Sequence, residues 1–395
     1  MADELFTSRR DLLKLPTLLT TAGAWPLLQS FQARAAEDAQ APVRIGYLPI
    51  TDATPLLVAH HQGLYEAQGL KVDKPRMFRS WAQLVEAFIA GQVNVVHLLS
   101  PITVWARYGS RVPAKVVAWN HVGGSALTVA PNIARVQDLG GRTVAVPFWY
   151  SMHNVVLQHL LREAGLQAVT RGEPAAGQVK LVVMAPSDMT PALAAGQIAG
   201  FIVAEPFNAG AELLKVGKVL RFTGDVWKNH ACCVVFMHER DLAQRPEWTQ
   251  KVVTSLVQAQ AWAQKNREAT ARLLSKDDPQ GYTPHATATL MKVLAPAAED
   301  ARTYQASGAI RNAAWNESRI DFQPYPFPSY TEKMIELLKQ TQVEGERGFL
   351  AALEPRQVAT DLVDDRFVRQ ALRQVGGLKT FGFPESFGRT EVFGA

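Results

Sequence analysis

Two short stretches gather side chains able to do chemistry. Phe148-Trp149-Tyr150-Ser151-Met152-His153 sets three aromatic rings, a hydroxyl and an imidazole within six residues, and Cys232-Cys233 holds the only two thiols of the chain. An imidazole just inside a helix start sits where free backbone N–H groups favour an anion. His153 in that position is therefore expected to be a neutral donor until an anion arrives, and Trp149 and Tyr150 offer planar faces beside it. The rings could equally cap a hydrophobic core. The two cysteines are neighbours in the apolar run 231–237. In a strand they point to opposite faces, so both read as packing residues and neither as half of a metal or redox pair. No G-x-S-x-G nucleophile turn and no H-E-x-x-H metal helix occurs. His60-His61 are adjacent on a helix and do not share a face, which makes them a poor metal pair. His97 alternates with core residues and reads as a packing histidine, while His121 lies at a strand end as a possible ligand donor.

The elements that must position His153 are legible. Thr143 to Val146 is a short buried strand, Pro147 ends it, Ser151 is a helix N-cap, and Ala164-Gly165 stops the helix. In an open α/β sheet, the space beyond a strand's carboxyl end is where ligands bind. The same alternation runs back to the start. Strands are expected at 43–50, 71–78 and 93–99, with a helix capped by Ser80 and another opened by Ser100-Pro101. Strands at 115–119 and 126–130 complete a first α/β unit, expected as a mostly parallel sheet. A second unit holds strands at 143–146, 179–185 and 198–204, with Glu205-Pro206-Phe207 at the last one's end, and a strand at 232–237 returns to the first unit. Beyond Glu239 the pattern turns helical. It is interrupted by the proline/aromatic segment 321–328, expected to drape its rings over the surface, and it closes with one helix over 355–374 and a loose glycine-rich tail.

With 395 residues, 47% apolar and 19% charged, the chain can bury one large or two medium cores. A formal net charge of +5, with Lys and Arg scattered, gives nucleic-acid binding little support. At the N-terminus, Ser8-Arg9-Arg10-Asp11-Leu12-Leu13-Lys14, a broken apolar run and Ala33-Arg34-Ala35 have the form of a twin-arginine export signal over 1–35. That run is too short and too interrupted for a membrane span. A soluble periplasmic protein follows, one that crosses the membrane folded and need not depend on disulfides.

Beyond these readings the chain resembles a known family. IGYLPITDATPLLVAHHQGLYEAQGL from residue 45, then VQDLGGRTVAVP, GQIAGFIVAEP, TGDVWKNH and VVTSLVQAQAWAQKNRE are similar to segments of the periplasmic solute-binding proteins of ATP-driven importers, in the nitrate/taurine/sulfonate class. The TGDVWKNH stretch and the helix around Gln258-Ala259-Gln260-Ala261-Trp262 point to the nitrate/bicarbonate branch. The resemblance implies an α/β type II periplasmic-binding-protein fold: lobe I over 43–128, lobe II over 129–232, and a return to lobe I with a helical extension over 233–395. It implies capture of a small oxyanion between the lobes, delivery to an ABC permease of the inner membrane, a monomer, no cofactor and no catalysis. Trp81, His153 and Lys228 match ligand contacts of the nitrate binders, with Lys228 as counter-charge. Ser125 stands where those proteins carry glutamine, and Trp149-Tyr150 where they carry small residues. An organic sulfonate or a planar heterocycle is thus the alternative ligand, and an enzyme like the thiamine-pyrimidine synthase of the same fold a more remote one. Asp52 would pair with Lys228 or cap the next helix, Ser100 would touch ligand, and Glu205 would be structural or partner Lys228. Bicarbonate-binding relatives use calcium, but no EF-hand-like loop or dense carboxylate cluster is present, so no metal is expected.

Overall fold

The computed structural model describes residues 41–315 and 319–394. The export signal and its cleavage pattern lie outside the described residues. Among those described, no helix is long and apolar enough to cross a membrane.

Two mixed sheets carry the body from Val43 onward. The chain lays down β1 (Ile45–Tyr47), β2 (Arg76–Met77), β3 (Val95–Leu99) and β4 (Ala114–Trp119), passes through the short β5 (Val122–Gly123), and then enters β6 (Ser125–Val129). β7 (Arg142–Val146), β8 (Gln167–Val169), β9 (Gln178–Val183), β10 (Gly200–Ala204) and β11 (Lys218–Phe222) follow. β12 (Cys233–His238) returns, and β13 (Ile320–Asp321) pairs with β5. The first sheet has the order β2-β1-β3-β12-β4 and the second β11-β6-β10-β7-β9-β8. β1, β2 and β3 are parallel, but β12 runs antiparallel to both β3 and β4. The expected mostly parallel sheet is therefore mixed, because its second-to-last strand arrives from the far side after a long excursion.

Why these segments form these elements is plain from their chemistry. β3 and β12 are buried on every face except at His238, and they read as near-continuous apolar runs because helices cover both sides. Ser80 caps Trp81–Ile89 by accepting from the Gln83 N–H at 3.3 Å, and Ser151 caps Met152–Glu163 by accepting from Asn154 at 3.0 Å. Gly165, at φ +73°, ends the latter helix in a conformation costly for any side chain. The helix Pro246–Lys265 packs its buried Val252, Val253, Leu256 and Val257 against Thr54–His61 and Arg366–Val375. Each such aliphatic side chain contributes on the order of 1.5–3 kcal/mol.

Three expectations are corrected. The extended segment 321–328 does not lie on the surface: Phe322, Tyr325 and Phe327 are core residues. Their rings help to cover β4, whose Trp119 stands 5.8 Å from Phe327 and 4.8 Å from Tyr330. The expected helix 355–374 is two helices, Pro355–Leu362 and Arg366–Val375, broken where Val363 bridges to Val116. The tail is not loose either. Val392 accepts from the Lys228 N–H at 3.0 Å, Gly394 donates to Val226 at 2.9 Å, and Glu391 takes the Trp227 indole N–H at 2.7 Å.

The loop between β5 and β6 is pinned to the end of β10. Gly123 and Gly124 sit at φ +67° and +78°, and a Cβ on Gly124 would meet the His121 ring at 3.0 Å. Gly124 accepts from the Glu205 N–H at 2.9 Å and donates to Arg319 at 2.7 Å. The buried Glu205 carboxylate receives Arg319 Nε at 2.9 Å and Nη2 at 2.5 Å, and Arg319 Nη1 reaches Glu212 at 2.9 Å. Glu205 thus has Arg319 as its cation and not Lys228. Removing the guanidinium leaves a buried carboxylate unpaired. Arg319→Met is expected to cost about 3–5 kcal/mol in chemical denaturation, and adding Glu205→Gln to recover much of it. Two losses that simply add would show the pair is not what holds this corner.

Candidate functional site

The site is built where the carboxyl end of β3, the β4–β6 connection and the start of β12 meet the first turn of Met152–Glu163. Ser125 opens β6, and its hydroxyl lies 3.0 Å from His153 Nε2 and 3.7 Å from Cys232 Sγ. Cys232 Sγ is in turn 3.8 Å from His153 Nε2. Beside them, His121 Nε2 stands 3.0 Å from Asp52 Oδ2, with both side chains fully buried. One ligating atom from each of Asp52, His121, Cys232 and Cys233 falls within 4.8 Å of the others. His230, bonded to Thr223 at 2.9 Å, and His97, edge-on to Trp81 at 5.4 Å, are two further buried imidazoles.

The cysteines do not point apart. Ala231 bridges to Val122 while Cys233 pairs with Leu99, so the chain changes partner across Cys232 and bends there. A bend cancels the alternation of a regular strand, and both thiols turn to the same cluster. Ser100 fixes that bend. Its hydroxyl lies 2.6 Å from Tyr330 Oη and 3.1 and 3.2 Å from the Ala231 and Cys232 carbonyls, and Tyr330 Oη is also close to the Ala231 carbonyl, so the two hydroxyl protons are shared among these acceptors. Ser100 is bonded to backbone and Tyr330, so it positions Cys232.

The other expected residues divide. Trp81 is buried with its indole N–H unpartnered, and His153 keeps Nδ1 unpartnered. Asp52 neither caps a helix nor meets Lys228: it lies in the 3-10 turn Thr51–Ala53 and its partner is His121. Lys228 is not brought to the cluster. Its ammonium lies 5.7 Å from the centre of the Trp315 ring, and among the described residues no hydrogen bond or ion pair joins it to His153, Ser125 or Cys232. Tyr150 is drawn into the core, its ring 6.3 Å from Trp105 and 5.8 Å from Phe349, its hydroxyl donating to Glu346 at 2.7 Å. Trp149 is half-buried against the two hydrophobic cores, and its carbonyl accepts from Asn154 at 2.9 Å. The aromatic pair thus reads as the core cap, and the imidazole beside it as the polar group. His121 is legible in the sequence as a possible ligand donor at a strand end, but Cys232 only as a packing thiol. The one signal for Cys232 was a Cys-Cys pair one residue beyond Lys228-Asn229-His230.

Burial sets the electrostatics. It pushes Asp52 up to about 6, against the pull of His121. Burial opposes charge on His121 too, but Asp52 outweighs it and raises His121 to about 10. Burial would raise the Cys232 thiol, yet the Cys233 hydrogen bond and the His153 and His121 imidazoles bring it well below the ordinary thiol range, while burial, with Cys232 and Asp52 beside it, pushes Cys233 up. His230 is pushed down to about 4 and His97 to about 3, both mainly by burial. The site is thus a mixture of donors and acceptors with no excess of cationic side chains.

Comparison with known proteins places this geometry. The profile of the NMT1-like family matches residues 36–276. The chain is 23% identical over 275 residues to the nitrate/nitrite binding protein NrtA of Nostoc sp., covering 64% of this chain and 61% of that protein. Other curated relatives are spanned less, so the chain matches about a third to three-fifths of their lengths. The crystal structure of the periplasmic nitrate-binding protein NrtA from Synechocystis superposes with a TM-score of 0.69 at 17% identity, over 89% of this chain and 93% of that one. The periplasmic aliphatic sulphonate binding protein SsuA from Escherichia coli gives 0.52 at 19% identity, over 78% and 94%. The fold is that of periplasmic binding proteins.

The imidazole of His97 accepts the Leu48 N–H at 2.9 Å and stays neutral in the fold, while in the unfolded chain it titrates near 6.5. The unfolded state therefore binds the extra proton as pH falls from about 6.5 towards 3, and stability is lost in that window. His97→Gln keeps an acceptor and removes the titration. Relative to the unmodified chain, the variant should gain about 1.4 kcal/mol per pH unit between pH 6 and 4 in urea titrations. Parallel pH profiles would show that His97 does not behave as a buried neutral base.

Proposed function

We propose that this chain, which belongs to the NMT1-like family, is the periplasmic solute-binding subunit of an ATP-driven importer, capturing a small oxyanion of the nitrate kind and handing it to a membrane permease. The observation that carries this reading is the set of buried polar atoms with no protein partner: Trp81 Nε1 and the Nδ1 atoms of His97, His121, His153 and His230. A buried donor without a partner costs on the order of 1–3 kcal/mol, so several in one region are the mark of a site that a polar ligand completes. The resemblance of the fold to nitrate- and sulphonate-binding proteins supports the same class of ligand.

In this reading His153 and the Ser125 hydroxyl donate to the ligand, and the helix start behind His153 favours negative charge. Trp81 supplies a further N–H and an apolar wall. The task is capture and release, with no bond made or broken, and export by the twin-arginine route delivers the subunit to the periplasm already folded. A planar heterocycle is less well supported, since Tyr150 packs on Trp105 and Phe349.

A thermal-shift series against nitrate, nitrite, bicarbonate with and without calcium, taurine, alkylsulfonates and aromatic heterocycles tests this. A ligand at about 100 times its Kd adds on the order of 2.7 kcal/mol to the folded state. Nitrate or a close analogue is expected to raise the melting temperature, His153→Ala to weaken it about 10–100-fold, and Lys228→Ala to leave it within a few-fold. No response to any oxyanion would overturn the reading.

A further inference from the structure

We propose that Asp52, His121, Cys232 and Cys233 form a four-coordinate site for a thiophilic divalent cation of the zinc type. This goes beyond capture of a solute and does not depend on it.

The donor set has the composition of such a site: two thiols, one imidazole and one carboxylate, from three separate parts of the chain, all buried. Soft sulfur donors with an imidazole select zinc and its neighbours over magnesium or calcium, which take oxygen. In tetrahedral zinc sites the bonds run about 2.0–2.3 Å, so ligand atoms stand roughly 3.3–3.8 Å apart. The four atoms here already lie within 4.8 Å of one another, so a contraction on the order of an ångström closes them on one ion.

A second observation is independent of that spacing. Neither oxygen of the Asp52 carboxylate accepts a regular hydrogen bond, although the residue has no exposure. Its one close neighbour is His121 Nε2, 3.0 Å from Oδ2, and that nitrogen also lies 3.3 Å from the Cys233 backbone N–H. Two acceptor atoms held this close need a cation, either a proton or a metal ion. The two thiols beside them are what a proton does not require and a metal does.

The backbone spends much of its bonding on this convergence. The bend at Cys232 is held by Ser100 and Tyr330, and Gly124 leaves no room for a side chain against the His121 ring. Binding replaces the thiol protons: each coordinating cysteine is deprotonated as its sulfur–metal bond forms, and the protons pass to solvent. The cysteines stay at the thiolate level, and no oxidant or reductant takes part.

The test uses the full-length chain, purified with a reductant and stripped with a chelator. Zn²⁺ and Co²⁺ are offered both to the native chain and during renaturation, because the four donors are closed from solvent. Uptake of one ion per chain, a rise in melting temperature, and thiolate-to-cobalt charge-transfer absorption in the near ultraviolet are expected. Cys232→Ala with Cys233→Ala should weaken binding by at least the roughly 10–100-fold that loss of mere outer-shell support costs. A folded chain that takes up neither ion by either route overturns the proposal. So does uptake with no thiolate absorption, a result that does not depend on whether the double variant folds. The oxyanion series, run on stripped and loaded protein, reads the solute hypothesis separately.

Discussion

Charge buried at the seam between two sheets is the constraint on which the rest of this structure depends. Taking an ion from water into a protein interior costs several kcal/mol unless a partner waits for it. Two carboxylates, Asp52 and Glu205, are fully buried at this seam. Each is met by a basic side chain from a distant part of the chain, His121 in one case and Arg319 in the other. These pairings explain why the connections at the strand ends are so tightly bonded. Thr51 donates to the Glu205 carbonyl at 2.9 Å through its N–H and at 3.1 Å through its hydroxyl, and the Glu205 N–H is held by Gly124. The loop carrying one buried acid is tied to the backbone of the other, so the two pairs are set by one piece of geometry.

The same constraint accounts for the helical extension. Arg319, Tyr330 and Glu391 lie far from the two α/β units in sequence, yet each completes a polar contact near the seam. Trp227, whose indole N–H goes to Glu391, lies tilted against Tyr330 with ring centres 4.9 Å apart, and Tyr330 in turn holds the carbonyl before Cys232. The C-terminal segments therefore act as supports behind the strand that returns from the second sheet. Their apolar rings fill the core while their few polar atoms satisfy backbone that would otherwise be buried without partners.

Local signals made much of the fold legible. The strand at 143–146, the Ser151 cap and the Gly165 stop are short-range chemistry, and the structure has each of them, the strand starting one residue earlier. His153 could be placed at a helix start for the same reason, and Trp81 after the Ser80 cap. Contacts between residues about 70 to 180 positions apart carry no such trace. Nothing near Asp52 announces His121, and nothing near Cys232 announces Ser125 or His153. Lys228 was legible as a charge but not as a direction: with Asn229 at φ +51° and its own N–H bound to Val392, the turn carries its ammonium towards Trp315. Tyr150 was legible as a ring, and whether a ring faces ligand or core is decided by what packs on it, here Trp105 and Phe349.

The cysteine pair shows most clearly how a sound local rule fails. Alternation of neighbouring side chains holds only while a strand keeps one set of partners. Here the ladder to β5 ends at Ala231 and the ladder to β3 begins at Cys233, so the rule lapses at the residue between them. That exchange of partners is forced by topology: β12 must leave the neighbourhood of the second sheet and insert between β3 and β4 of the first. A bend at the crossing is the geometric consequence, and a bend brings adjacent side chains to one side. Two small, fully buried thiols occupy that inner side, as packing alone would allow. Packing alone does not call for a fully buried acid and an imidazole within 4.8 Å of both sulfurs, and that added pair is what separates a chemical site from a filled corner.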